Sequence, residues 1–221
     1  MELFAPLPVS GRGAAADWVS SLPVRRPARV AVAVRARAAA AAQRAGEAAA
    51  PGAMVRGGCV RSVLAALGPF QRRGQLMLAE HGIGVVDAEE WYPLAAYAAA
   101  LETIRDTLGP NTLVQIGRQI SRHVPLPPAC GSLREALEAM AHCFEATHRE
   151  LEPGSVSVRV TSHRSASVTT SAPYPCEFGL GAIEGFVETL LGTRATVRHD
   201  PGGCRESGTG SCTYLVTLPI D

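Results

Sequence analysis

An α+β fold is predicted, helices first and an antiparallel sheet after them. Three observations predict it. Apolar residues recur at helical spacing between Val60 and Phe144. The period then switches to strict alternation over 155–160 and 165–170. Finally, Cys176, His199, Cys204 and Cys212 form the pattern C-x22-H-x4-C-x7-C in a turn-rich C-terminal stretch.

The elements follow in order. Val60, Val63, Leu64 and Leu67 make one helical face, and Gly68-Pro69 ends it. Leu76 and Met77 predict a second short helix that stops at His81-Gly82. Asp87 caps a turn entering Trp91-Tyr92-Pro93-Leu94. Leu94, Tyr97, Ala98, Leu101, Ile104 and Leu108 form the clearest stripe, a helix over 94–108. Gly109-Pro110-Asn111 interrupts it, and another helix runs from Thr112 to Ile120. Ser132 with Glu135 reads as a capping box, opening a helix lined by Leu133, Leu137, Met140 and Phe144. The alternating segments then predict a hairpin turning at His163-Arg164. Glu177 to Leu191 is a helix with Gly192 as its C-cap. Strands over 195–198 and 213–218 complete the sheet.

Residues 1–53 differ from the rest. They are rich in Ala, Arg and Pro and carry few large apolar side chains, so they are expected to be a disordered tail. Residues 54–221 are expected to form one ligand-binding domain, with a helical half over 54–150 and an α+β half over 151–221. Met54 is a second candidate start for the chain.

The 221 residues carry a formal charge of +1, which gives no pull toward nucleic acid or a membrane surface. All 21 basic residues are arginine, so no lysine Schiff base or lysine base is available. The first ten residues lack a secretory pattern, and no apolar run is long enough to span a bilayer. A reducing cytoplasm is the expected compartment, where thiols bind metal more often than they pair.

Three thiols and an imidazole are a tetrahedral zinc donor set. Pro201-Gly202-Gly203 and Gly208-Thr209-Gly210 turn the chain just before Cys204 and Cys212. Zinc held by Cys176, His199, Cys204 and Cys212 is therefore the expected cofactor, in a closed site with a structural role. Cys59, Cys130 and Cys143 read as ordinary thiols. Haem is not expected, because no Cys-x-x-Cys-His attachment motif is present. His148 reads instead as a cation at a helix C-terminus. No Gly-x-Ser-x-Gly elbow, P-loop or G-x-G-x-x-G marks an enzyme.

Tyr174-Pro-Cys-Glu-Phe178, Gly181-Ala-Ile-Glu-Gly185, Val197-Arg-His-Asp200, Cys204 and Ser211-Cys-Thr-Tyr214 resemble the 4-vinyl-reductase domain family. That family belongs to the haem NO-binding and Golgi-transport ligand-binding superfamily. Trp91-Tyr-Pro-Leu94, Gly109-Pro-Asn-Thr-Leu113 and Ile116-Gly-Arg118 resemble the helical half of bacterial stand-alone members, and the likeness covers roughly 55–219. The resemblance implies a zinc site of cysteines and one acidic residue beside a buried pocket for a small aromatic molecule. Cys176, Cys204 and Cys212 match the cysteines, whereas the fourth position is open between His199 and Asp200. It also implies a pocket among Trp91, Tyr97, Phe144, Tyr174, Phe178 and Phe186.

The expected function is a zinc-stabilised sensory or binding domain for a small hydrophobic molecule. It would signal through a homodimer or a separate signalling protein, without nucleic acid or membrane. The alternatives are an enzyme acting on tetrapyrrole vinyl groups, a haem-based gas sensor and a protein-interaction adaptor.

Overall fold

Helical periodicity gives way to alternation where the sequence places the change. A computed structural model describes residues 50–150 and 156–220. In chain order these form β1 (Met54–Arg56), α1 (Gly57–Leu67), α2 (Gln71–Ala79), β2 (Trp91–Pro93), α3 (Leu94–Leu108) and α4 (Pro110–Gln119). The chain continues with α5 (Leu133–Thr147), β3 (His148–Arg149), β4 (Val156–Ser162), β5 (Ser165–Thr170), α6 (Cys176–Leu191), β6 (Thr196–Asp200) and β7 (Cys212–Thr217). The expected tail lies outside the described residues except at 50–53. There Ala53 is buried, and its carbonyl accepts the Leu94 amide at 2.8 Å.

The local signals act as expected. Ser132 Oγ accepts the Glu135 amide at 3.2 Å, which caps α5. Glu135 Oε2 reaches back to the Gly131 amide at 2.8 Å. The main sheet has the order β4-β5-β7-β6 and is antiparallel throughout. Ala166, Val168, Tyr214 and Val216 point to its buried face, and Ser167, Leu215 and Thr217 to the other.

A second sheet, β2-β1-β3, was not foreseen. Its strands are two or three residues long, too short for alternation to register. It nevertheless matters, because pairing Val55 with His148 draws residue 148 out of the α5 helix into extended backbone.

The helical half and the sheet meet through α6. Helix α4 crosses α6 with no side chain between the two backbones. A Cβ at Gly117 would sit 2.3 Å from the Phe178 carbonyl oxygen, and one at Gly181 would sit 2.1 Å from that of Val114. Around the crossing, Leu113, Ile116, Ile183, Phe186 and Val187 are buried. Opposite it, α5 packs on β4, β5 and α6.

Because backbone rather than a flexible side chain stands against Gly181, Gly181→Ala must push α4 and α6 apart. A destabilisation of about 1–3 kcal/mol is expected. Urea unfolding should show the midpoint fall while the slope stays constant.

Candidate thiol cluster and apolar pocket

Four elements deliver the cluster. Cys176 opens α6, His199 lies on β6, Cys204 follows the turn at Pro201–Gly203, and Cys212 opens β7. Their donor atoms all lie within 4.8 Å of one another. Cys176 Sγ is 3.7 Å from Cys204 Sγ and 3.6 Å from Cys212 Sγ. Metal–sulfur bonds of about 2.3 Å in a tetrahedron give sulfur–sulfur edges of ~3.8 Å, so the spacing suits one ion. His199 Nε2 is buried without a hydrogen-bond partner, an arrangement a ligand would satisfy. Asp200 is occupied elsewhere: its Oδ1 accepts the Gly202 amide at 3.0 Å and caps the turn.

The thiols share protons unevenly. The hydrogen bond with Cys212, then burial, holds Cys176 above the usual thiol range. The same bond, aided by Arg205, holds Cys212 below it.

Beside the cluster lies an apolar pocket between α5, α6 and the main sheet. Its walls include Phe144, Tyr174, Phe178, Phe186, Cys212 and Tyr214. It offers about 80 Å³ to the centre of a water-sized sphere, room for several waters rather than one. Cluster and pocket share walls, since Cys212 and Tyr214 border both. Tyr214 Oη also donates to the Cys176 carbonyl at 3.0 Å.

Of the six aromatic residues expected in a pocket, the structure brings four to it. Tyr97 stands behind the wall, edge-on to Tyr174 and Phe178, and its hydroxyl donates to the Cys59 carbonyl at 3.1 Å. Trp91 lies apart on β2, with the Arg149 guanidinium 3.8 Å from its ring centre and that of Arg56 at 5.3 Å.

His148, Cys59 and Cys143 line the pocket and were missed by sequence reasoning. Burial pushes the Cys59 thiol up to about 12 and the Cys143 thiol up to about 11, so both are inert. The reading of His148 as a helix-capping cation is corrected. Its Nδ1 does reach the last-turn carbonyl of Phe144, at 2.8 Å, but the ring points into the pocket. Burial lowers its pKa to about 4, so it is neutral. Phe144 stacks on it at 3.9 Å, and Tyr174 Oη lies 2.6 Å from Nε2. The missing signal was the Val55–His148 strand pairing, which joins positions 93 residues apart (148 − 55).

No family model and no curated protein matches the chain. Solved structures do. An H-NOX protein from S. oneidensis in the Fe(II)NO ligation state is 13% identical, with 74% of this chain and 99% of that one covered and a TM-score of 0.51. A Cs H-NOX mutant carrying 4-cyano-L-phenylalanine is 14% identical, with coverage of 75% and 97% and the same TM-score. A structure probing haem distortion in the H-NOX family is 11% identical, with coverage of 75% and 97%, also at 0.51. The fold is therefore similar to that of these H-NOX structures. The expectation of zinc as the cofactor, with haem set aside, is overturned by these matches, because each of these three is an H-NOX structure.

Haem can be tested against the residues present. One neutral imidazole faces an apolar cavity, with its far nitrogen held by a backbone carbonyl. Metal-binding histidines are commonly oriented in this way. The donor fits an iron ligand. The free space is smaller than a macrocycle needs, and no cationic side chain lines it, so the walls must move for a haem to bind.

The imidazole gives the fold a pH dependence. Above its ordinary value of 6.5 it is neutral in both folded and unfolded chains. Between 6.5 and about 4 the unfolded chain binds a proton that the folded chain does not. Stability therefore falls as pH falls through that window, by at most about 3 kcal/mol, less what residual solvent contact screens. Urea unfolding at several pH values should show a steeper acid loss for the native chain than for His148→Gln.

Proposed function

We propose that this chain is a non-catalytic sensory domain whose apolar pocket takes haem, with His148 as the iron's protein ligand. The observation that carries the reading is the state of that imidazole. It is neutral, aimed into an apolar pocket, and fixed through Nδ1 so that the Nε2 lone pair faces inward. The likeness of fold to H-NOX structures supports it. Bound haem would supply a reversible site for a diatomic gas. The chain's own residues exclude water, orient the imidazole and keep it unprotonated. No helix among the described residues is long and apolar enough to cross a membrane. Output would pass to a partner protein or through a homodimer.

Titrating the purified chain with hemin should give a Soret band at about one haem per chain. His148→Ala should abolish that spectrum while leaving the fold intact by circular dichroism. An unchanged spectrum in the variant sinks the assignment of His148. A second reading, a smaller aromatic ligand, is favoured by the tight cavity, about 80 Å³ to the centre of a water-sized sphere, and by the lack of a cation in the lining. A thermal-shift response to small aromatics, with none to hemin, would select it.

The cluster of Cys176, His199, Cys204 and Cys212 is proposed to hold one thiophilic transition-metal ion, with a closed and structural role. The 3.6 and 3.7 Å sulfur spacings and the unpartnered His199 nitrogen support this. Elemental analysis of protein purified without added metal should find about one such ion per chain. Cys204→Ser should lose it and lower the melting temperature by roughly 5 °C or more. Full stability without metal, with every thiol titrating freely in the native chain, would refute the site.

A further inference from the structure

We propose that Tyr174 is the gate of the pocket: its hydroxyl caps the His148 lone pair, and its side chain must swing away before a ligand can reach that nitrogen. The inference rests on the pocket reading of His148 and does not depend on the metal cluster.

The proton positions follow from the partners. The Phe144 carbonyl only accepts, so His148 Nδ1, 2.8 Å away, carries the ring proton. The Thr147 hydroxyl, 3.2 Å from Nδ1, gives its own proton to the Cys143 carbonyl at 2.8 Å. Nε2 therefore holds a lone pair, and the Tyr174 hydroxyl at 2.6 Å donates to it.

Tyr174 is built as a side chain that moves on a fixed backbone. It lies between β5 and α6, flanked by Pro173 and Pro175, whose rings restrict the local φ angles. Arg205 grips the same segment, donating to the Ala172 carbonyl and, at 2.9 Å, to the Tyr174 carbonyl. Rotation about the side-chain bonds breaks one hydrogen bond and leaves both backbone grips intact. The ring meets Tyr97 edge-on at 5.7 Å and Phe178 at a tilt of 47°, so no face-to-face stack locks it. A purely hydrocarbon ligand that displaced the hydroxyl would strand the imidazole lone pair. Ligands bringing an electron-pair acceptor or a hydrogen-bond donor are therefore selected.

The test uses full-length protein and two probes. Diethyl pyrocarbonate acylates neutral imidazole nitrogen, and peptide mass mapping reads His148 against exposed His163. In Tyr174→Phe, which keeps the ring, the His148 rate relative to His163 should rise about tenfold, the equivalent of one lost hydrogen bond. A ratio unchanged within about twofold overturns the gate. Hemin should also bind Tyr174→Phe faster than the native chain, and equal rates overturn the gate while leaving haem in place. Should hemin bind neither protein, the haem reading fails, and the acylation ratio alone decides the gate. A melting curve for Tyr174→Phe within a few degrees of native keeps the comparison between folded chains, and Arg205→Ala serves as a second variant. Loosening the grip on the Tyr174 backbone should raise the same ratio, and no rise in either variant overturns the gate.

Discussion

The C-terminal half depends on one short stretch of backbone, residues 172–176, that serves two sites at once. Arg205 holds its carbonyls from one side. Tyr174 projects into the pocket, and Cys176, two residues on, starts both α6 and the thiol cluster. The Cys176 carbonyl is in turn held by the Tyr214 hydroxyl, from a strand that also carries Cys212. Nothing in this stretch can shift without moving a pocket wall, a thiol of the cluster and the first turn of the helix that joins the two halves. Arg105 extends the restraint into the helical half. From α3 it pairs with Glu102 and reaches Glu206 of the cysteine loop at 3.1 Å and Glu177 of α6 at 3.9 Å. Each of these contacts is partly exposed and worth little singly, but they converge on one side chain.

The same geometry explains why the pocket's polar groups are neutral. In a cavity lined almost wholly by carbon, an imidazolium would lose its hydration and gain no counter-ion. His148 resolves this by staying unprotonated and exchanging hydrogen bonds with a carbonyl and a phenol. The charged groups of this region, Arg105, Glu177, Arg205 and Glu206, stand on the loop and helix ends outside the pocket. Charge at the rim and a neutral donor–acceptor pair at the centre is the arrangement of a binding site rather than of a packed core.

Much of this was legible in the sequence, for physical reasons that differ between elements. Helix α3 was readable to the residue, because fifteen positions of apolar stripe end at a glycine–proline break. The hairpin and the cysteine–histidine pattern were equally plain, since alternation and ligand spacing are local signals. The pocket histidine was not. Its position after Phe144 and before Arg149 looks like the end of a helix, and only pairing with Val55 turns it inward. Strands of two and three residues leave no period to read, so contacts across the whole helical half were needed to place it. The cofactor was misjudged for a related reason. An attachment motif is a covalent signature, so its absence says nothing about a haem held without one.

The two sites are therefore best understood as one mechanical unit with separate chemistries. The cluster's side chains come from α6, β6, the loop and β7, so a metal ion there would fix the start of α6 against the sheet. Fixing α6 sets the wall formed by Phe178, Ile183 and Phe186. It also fixes the approach to Tyr174, because Cys176 and Tyr174 share the backbone that Arg205 clamps. A ligand that turns the Tyr174 side chain aside leaves that clamp in place, so Arg205 holds the segment to the loop between Cys204 and Cys212 in both side-chain positions. Any coupling between pocket occupancy and a metal ion in the cluster would run through the position of α6, and linkage would make it reciprocal.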